Sequence, residues 1–293
     1  MNGFSPTETA TEGIRLTRLR SRAVGIWVLS YLGFIILVGR IAELTLGPHA
    51  WEILAEFRQI GQDGDALWSL AGRTWPFFAA SLPIHLAFQS ILTCAIYRAV
   101  LHSEEEGGGY LRIGADEVRM AVLIVIVCAI WTLAIFLLSF VSILAASTLG
   151  LVGSPIVAVL GFAITMAALG VVIWVLVRLS LAGAITFSDR RIQVMASWRL
   201  TQGRFWSLLW SYFLAFLLWL LLVGLIELGS GLLFALVGRF LGVDLRHLDP
   251  ASADPLIFAA ILLTSAGTAL LWTCTTLFMN APPAEAYREL TQG

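Results

Sequence analysis

The stretch from Met120 to Ala145, MAVLIVIVCAIWTLAIFLLSFVSILA, carries no charged residue. A helix of about 20 apolar residues, rising about 1.5 Å per residue, crosses a hydrocarbon core of roughly 30 Å. No water reaches the backbone N–H and C=O groups at that depth, and a helix satisfies them within a single segment. Working outward with a window of about 19 residues, the same reading gives five further spans: Ala23 to Leu46, Pro76 to Tyr97, Pro155 to Val177, Phe205 to Ile226 and Pro255 to Phe278. Three of them begin at Pro, which suits a first helical turn whose N–H has no partner in the helix. The sequence therefore predicts an all-α, polytopic transmembrane bundle of six spans with short interfacial helices. The expected organisation is a cytoplasmic segment 1–22, a membrane domain 23–280 and a cytoplasmic tail 281–293.

Composition agrees with lipid as the main solvent. Hydrophobic residues make up 59% of the chain and charged ones 13%, against roughly 45–50% and 25% in soluble domains. The net charge of −1 lacks the basic face that nucleic acid requires, so no nucleic-acid partner is expected. All 18 cationic residues are Arg and none is Lys, the mark of a GC-rich bacterial genome, with Arg-for-phosphate chemistry as the alternative. Cys94, Cys128 and Cys274 lie in apolar runs at no metal or redox spacing and read as packing residues.

Orientation follows from the arginines. With the N-terminus inside, 13 arginines fall on inner segments and five, Arg40, Arg58, Arg73, Arg239 and Arg246, on outer ones. Six spans return the C-terminus to the same side, which predicts a multi-pass protein of the bacterial inner membrane with both termini cytoplasmic. Arg15, Arg18, Arg20 and Arg22 before the first apolar run resemble a secretory signal. The continuation GRIAELTLGP offers no good small-residue cleavage site, so an uncleaved span is expected.

Three stretches outside the spans carry structure signals. Ser5 to Glu8, with Pro6 between them, form a capping box for a short N-terminal helix. AWEILAEFRQI, residues 50–60, alternates Trp51, Leu54, Phe57 and Ile60 with polar residues as an interfacial helix does. After Ile226, Gly229 and Gly231 predict a break and a second amphipathic helix on the outer face. The SEEEGGG tract, residues 103–109, reads as a flexible, solvated loop.

Small and hydroxyl residues mark faces where membrane helices pack. Cys128, Thr132, Ser139, Ser142 and Ala146 form such a stripe in the third span, Ala163, Ala167 and Gly170 in the fourth, and Thr264, Gly267 and Thr268 in the sixth. Spans three, four and six are therefore expected to form the bundle interior.

Ionisable groups at membrane depth are the first candidates for chemistry. His85 stands mid-span, two residues after Pro83, which cannot donate to the carbonyl of Ala79. It reads either as a transport or relay histidine at a hinge or as an imidazole bonded to the freed carbonyl. Arg40 and Glu43 are spaced to pair on one helix face, and Glu227 is placed to meet Arg40, Arg73 or Arg239.

The inner loops hold the densest cluster. Asp116 and Arg119 open the third span, and Arg98 and Arg178 close the second and fourth. Trp198, Arg199, Arg204 and Trp206 alternate charge and aromaticity between spans four and five, where an interfacial belt is expected. Arg98, Arg119, Arg178, Trp198, Arg199, Arg204 and Trp206 are accordingly the candidate residues for binding anionic lipid headgroups or a membrane or cytoplasmic protein partner. No Walker loop, HExxH pair or nucleophile elbow appears in the sequence. No enzyme activity, cofactor or metal site is expected.

YLRIGADEVR, VRLSLAGAITFSDRR and SWRLTQGRFWSLL resemble segments of uncharacterised six-span inner-membrane proteins from GC-rich bacteria, a resemblance covering about two-thirds of the chain. Spans four and five also resemble the membrane domain attached to some glycerophosphoryl diester phosphodiesterases. In those enzymes a separate soluble domain does the chemistry, so the resemblance implies a membrane fold and transfers no catalytic residue.

Overall fold

The computed structural model describes residues 5–47, 50, 53, 56, 64–104, 107–152, 155–241 and 255–292. Among these the chain is helical, without strands: α1 (Pro6–Leu19), α2 (Ser21–Leu46), α3 (Gly64–Leu101), a 3-10 turn (Gly108–Tyr110), α4 (Ala115–Val152), α5 (Pro155–Leu179), α6 (Ala182–Asp189), α7 (Val194–Leu200), α8 (Phe205–Leu241) and α9 (Pro255–Gln292). Six of them, α2, α3, α4, α5, α8 and α9, are long and apolar enough to cross a bilayer. The molecule is a polytopic transmembrane helix bundle.

Several helices outrun the expected spans. α3 begins at Gly64, so Pro76 lies inside it; the added turns bury Leu70 and Thr74, and the Thr74 hydroxyl bonds the Leu70 carbonyl at 2.9 Å. α9 continues through Pro282 and Pro283 to Gln292. α8 runs unbroken past Gly229 and Gly231 to Leu241, correcting the expected break there. A helical glycine costs only about 1 kcal/mol, less than exposing unpaired backbone groups to hydrocarbon. Residues 232–241, where a separate second amphipathic helix was expected to begin, continue α8, and its remainder beyond Leu241 lies outside the described residues, as does the interfacial helix expected over residues 50–60 apart from Ala50, Ile53 and Glu56.

The core does not sit where the small-residue stripes placed it. α2, α3 and α9 pack on one another, α8 joins α9, and α4 and α5 form an outlying pair, α4 attached through α3 and α5 through α8. Trp27, Tyr31, Leu92, Ile96, Ala269 and Leu277 are among its buried residues. Cys128, Thr132, Ser139 and Ala146 of α4 are exposed, as are Ala163, Ala167 and Gly170 of α5. The reason is visible in the hydroxyls: Thr132 bonds the Cys128 carbonyl at 2.9 Å and Ser142 bonds Leu138 at 2.8 Å. Each is satisfied by its own helix and needs no neighbour. Close approach of α4 and α5 occurs instead at Gly161, where an added Cβ would come within 3.2 Å of the Ala145 methyl. The expectation for the sixth span holds better, because α9 is central, through Ala269, Thr273, Thr276 and Leu277.

Both termini lie at one end of the bundle. The Ser5 hydroxyl accepts from Glu8 N at 3.4 Å, the expected cap, while Ser5 N donates to Glu289 at 3.0 Å rather than to Glu8. α1 thus packs on α9 and α8.

Candidate functional site

The terminal end of the bundle gathers most of the arginines singled out in the sequence, in three separate arrangements. In the first, Arg98 near the end of α3 and Glu117 at the start of α4 form an ion pair with both side chains about 95% buried. Arg98 also donates to the Tyr110 carbonyl at 3.1 Å and lies 5.5 Å from the centre of the Phe187 ring. Arg119 pairs with Asp116, whose carboxylate reaches within 4.0 Å of Arg98. Arg98 and Arg119 are therefore engaged inside the fold, tying α3 to α4.

The loop between these helices is built rather than loose over residues 107–110. Gly108 and Gly109 have φ of 54° and 67°, a left-handed region open to glycine at little cost. An added Cβ on Gly109 would meet the Ile26 side chain at 3.0 Å. The close approach lets the fully buried Trp27 donate from its indole to the Gly109 carbonyl at 2.7 Å. The flexible loop expected for this tract does not extend through its glycines.

In the second arrangement the Arg178 guanidinium lies 5.7 Å from the Trp174 ring and 5.8 Å from the Trp198 ring. The two indoles meet edge to face at 4.8 Å. Ser197 donates to the Arg178 carbonyl at 2.6 Å, and Arg178 donates to Thr201 at 3.3 Å, fixing α7 against the end of α5. Beyond this cage, Arg199, Arg204 and Trp206 are exposed, Trp206 by 78%. Neither Arg199 nor Arg204 makes a side-chain hydrogen bond or ion pair among the described residues. An exposed indole beside cations with no internal partner has the chemistry of a membrane-interface anchor.

The third arrangement was not anticipated. Glu12 of α1 and Glu285 of α9 are both buried. Arg15 pairs with Glu12 at 2.5 Å and lies 3.9 Å from Glu285, while Arg288 pairs with Glu285 at 2.5 Å. Burial pushes the Glu12 carboxyl above its ordinary value of 4.5, with the Glu285 charge adding to the rise and the Arg15 hydrogen bond opposing it.

His85 does not sit in the interior. It is exposed on α3 with its ring 5.3 Å from that of Phe34, and among the described residues it makes no hydrogen bond to a freed carbonyl. Arg40 pairs with Glu43 at 2.5 Å, as their spacing predicts. Glu227 meets none of the expected arginines among the described residues; it is exposed beside Ser230 and Thr264 in a groove of about 370 Å³.

Sequence reasoning passed over Trp27, Trp174, Glu12 and Glu285. Glu12 and Glu285 lie outside the expected spans, where a charged residue reads as solvated. No family model, curated protein or solved structure matches the chain.

Proposed function

We propose that this chain is a non-catalytic, multi-pass protein of a bacterial inner membrane, with both termini cytoplasmic, whose terminal face holds anionic lipid headgroups. The carrying observation is that Arg199 and Arg204 stand exposed, without partners among the described residues, beside exposed Trp206 and the Trp174–Arg178–Trp198 cage. The excess of arginine at this end supports its cytoplasmic placement. An arginine near an anionic membrane surface contributes about 1 kcal/mol, and a bidentate guanidinium suits phosphate oxygens. Arg98 and Arg119, engaged by Glu117 and Asp116, serve the fold rather than the ligand.

Native mass spectrometry of the purified chain with phosphatidylglycerol and phosphatidylcholine tests this reading. Preferential retention of the anionic lipid is expected, falling about five-fold for each of Arg199→Ala and Arg204→Ala. Equal retention of both lipids, or no change in the variants, would overturn it. Reporter fusions at both ends check the orientation: periplasmic signals from both would reverse the placement, and from one alone would break the even number of crossings.

A further inference from the structure

Between the α4–α5 pair and the wall formed by α3, α9 and α8 lie two cavities of about 420 and 470 Å³. Trp131, Leu176 and Ser180 line both, which makes them neighbouring compartments of one cleft. No charged side chain lines either one. The walls are mostly aliphatic and aromatic, in a volume range, roughly 300–1,000 Å³, typical of small-molecule sites.

The first compartment also holds polar groups whose bonding capacity is unfilled. Gln89, Thr93 and Tyr97 line it from α3 at four-residue intervals, one stripe down a single helix face. Asn280 faces them from α9. The Gln89 carbonyl accepts from Tyr31 at 3.3 Å, and the Asn280 amide donates to the Thr276 carbonyl at 2.7 Å. Among the described residues, the Gln89 NH2, the Thr93 and Tyr97 hydroxyls and the Asn280 carbonyl oxygen have no partner.

Thr93 is telling because Thr132, Thr264, Thr268, Thr273 and Thr276 all bond back to their own helix. Its hydroxyl does not. Gly183 of α6 completes the arrangement, since a Cβ there would strike the Tyr97 hydroxyl. Only bare backbone leaves the phenol its place. Unpaired polar groups facing hydrocarbon are costly, and three of these four can donate. The complementary occupant offers an acceptor, carries no charge and is otherwise apolar.

We propose that this cleft binds a neutral amphiphile whose carbonyl groups take hydrogen bonds from the stripe of Gln89, Thr93 and Tyr97, with its hydrocarbon lying along Val127 and Trp131 toward the second compartment. Two kinds of molecule present that chemistry in a membrane, a glycerolipid ester and a quinone. The site is distinct from the headgroup-binding face, because neither Arg199 nor Arg204 lines it.

The test uses the full chain in detergent, with saturation binding followed by native mass spectrometry and by thermal unfolding. The probes are dioctanoylglycerol, decylubiquinone and dodecane. Saturable one-to-one binding of a carbonyl probe, without binding of dodecane, is expected. Binding of dioctanoylglycerol alone identifies a glycerolipid site, and of decylubiquinone alone a quinone site. Tyr97→Phe and Thr93→Val should each weaken binding about five-fold, the worth of one hydrogen bond, and Val127→Trp should block it by filling the space. Arg199→Ala should leave it unchanged, which separates this proposal from the headgroup reading. Equal binding of all three probes, saturable binding of none, or indifference of the folded Tyr97→Phe and Thr93→Val variants would overturn it.

Discussion

Arg98 sits where little water reaches it, enclosed by Glu117, the Tyr110 carbonyl and the Phe187 ring. Removing one partner of such a pair strands the other. Arg98→Leu is expected to cost about 3–5 kcal/mol of stability, read as resistance to unfolding in detergent, and Arg98→Leu with Glu117→Leu should recover much of it. The glycines make a sharper comparison. Gly109→Ala meets both a positive φ and the Ile26 side chain, so a loss of about 1–3 kcal/mol follows, whereas Gly107, extended and in open space, should accept Ala with little change. Legibility was uneven at this scale. The Arg40–Glu43 pair and the Ser5 cap rest on local spacing, which a sequence displays directly. His85 drew attention because it ionises, yet Gln89, one turn further on, carries the unfilled hydrogen-bonding capacity. An uncharged amide gives no charge signal, and only the neighbouring helices reveal whether it is satisfied.

At the scale of elements, apolar length alone placed the six spans, because crossing hydrocarbon leaves the backbone no other economical form. Which helices are central was not readable from small residues. A hydroxyl that bonds its own helix looks the same in sequence as one that bonds a neighbour. Thr132→Ala and Ser142→Ala should accordingly change stability by no more than about 0.5 kcal/mol, measured in the same unfolding assay. α1 behaves differently. Because Glu12 holds its proton more tightly when docked than when free, docking takes up a proton. The contribution is full below the ordinary value of 4.5 and fades as pH rises through the elevated one. Electron paramagnetic resonance between nitroxides at Thr7 and Thr291 should register looser docking as pH rises above 4.5, and Glu12→Gln should flatten the dependence.

Across the whole molecule, packing is concentrated toward the end that carries the termini. Buried residues of α3 crowd between Ser90 and Val100, those of α8 between Leu208 and Ala215, and those of α9 between Ala269 and Ala286. The middle of α4 is left open to its surroundings. A membrane-permeant maleimide should therefore modify Cys128, which is exposed, well before Cys94, which is fully buried; peptide mass mapping over time checks the order.

The clasp between α1 and α9 has a consequence for biosynthesis. Ser5 and Glu289, which it joins, are 284 positions apart, so α1 leaves the ribosome with its docking surface still unsynthesised. The buried carboxylate of Glu12 must remain hydrated until every intervening span has been threaded into the bilayer. Closure is then a late assembly event, and a nascent chain with one segment left uninserted would carry its two ends to opposite leaflets and never close.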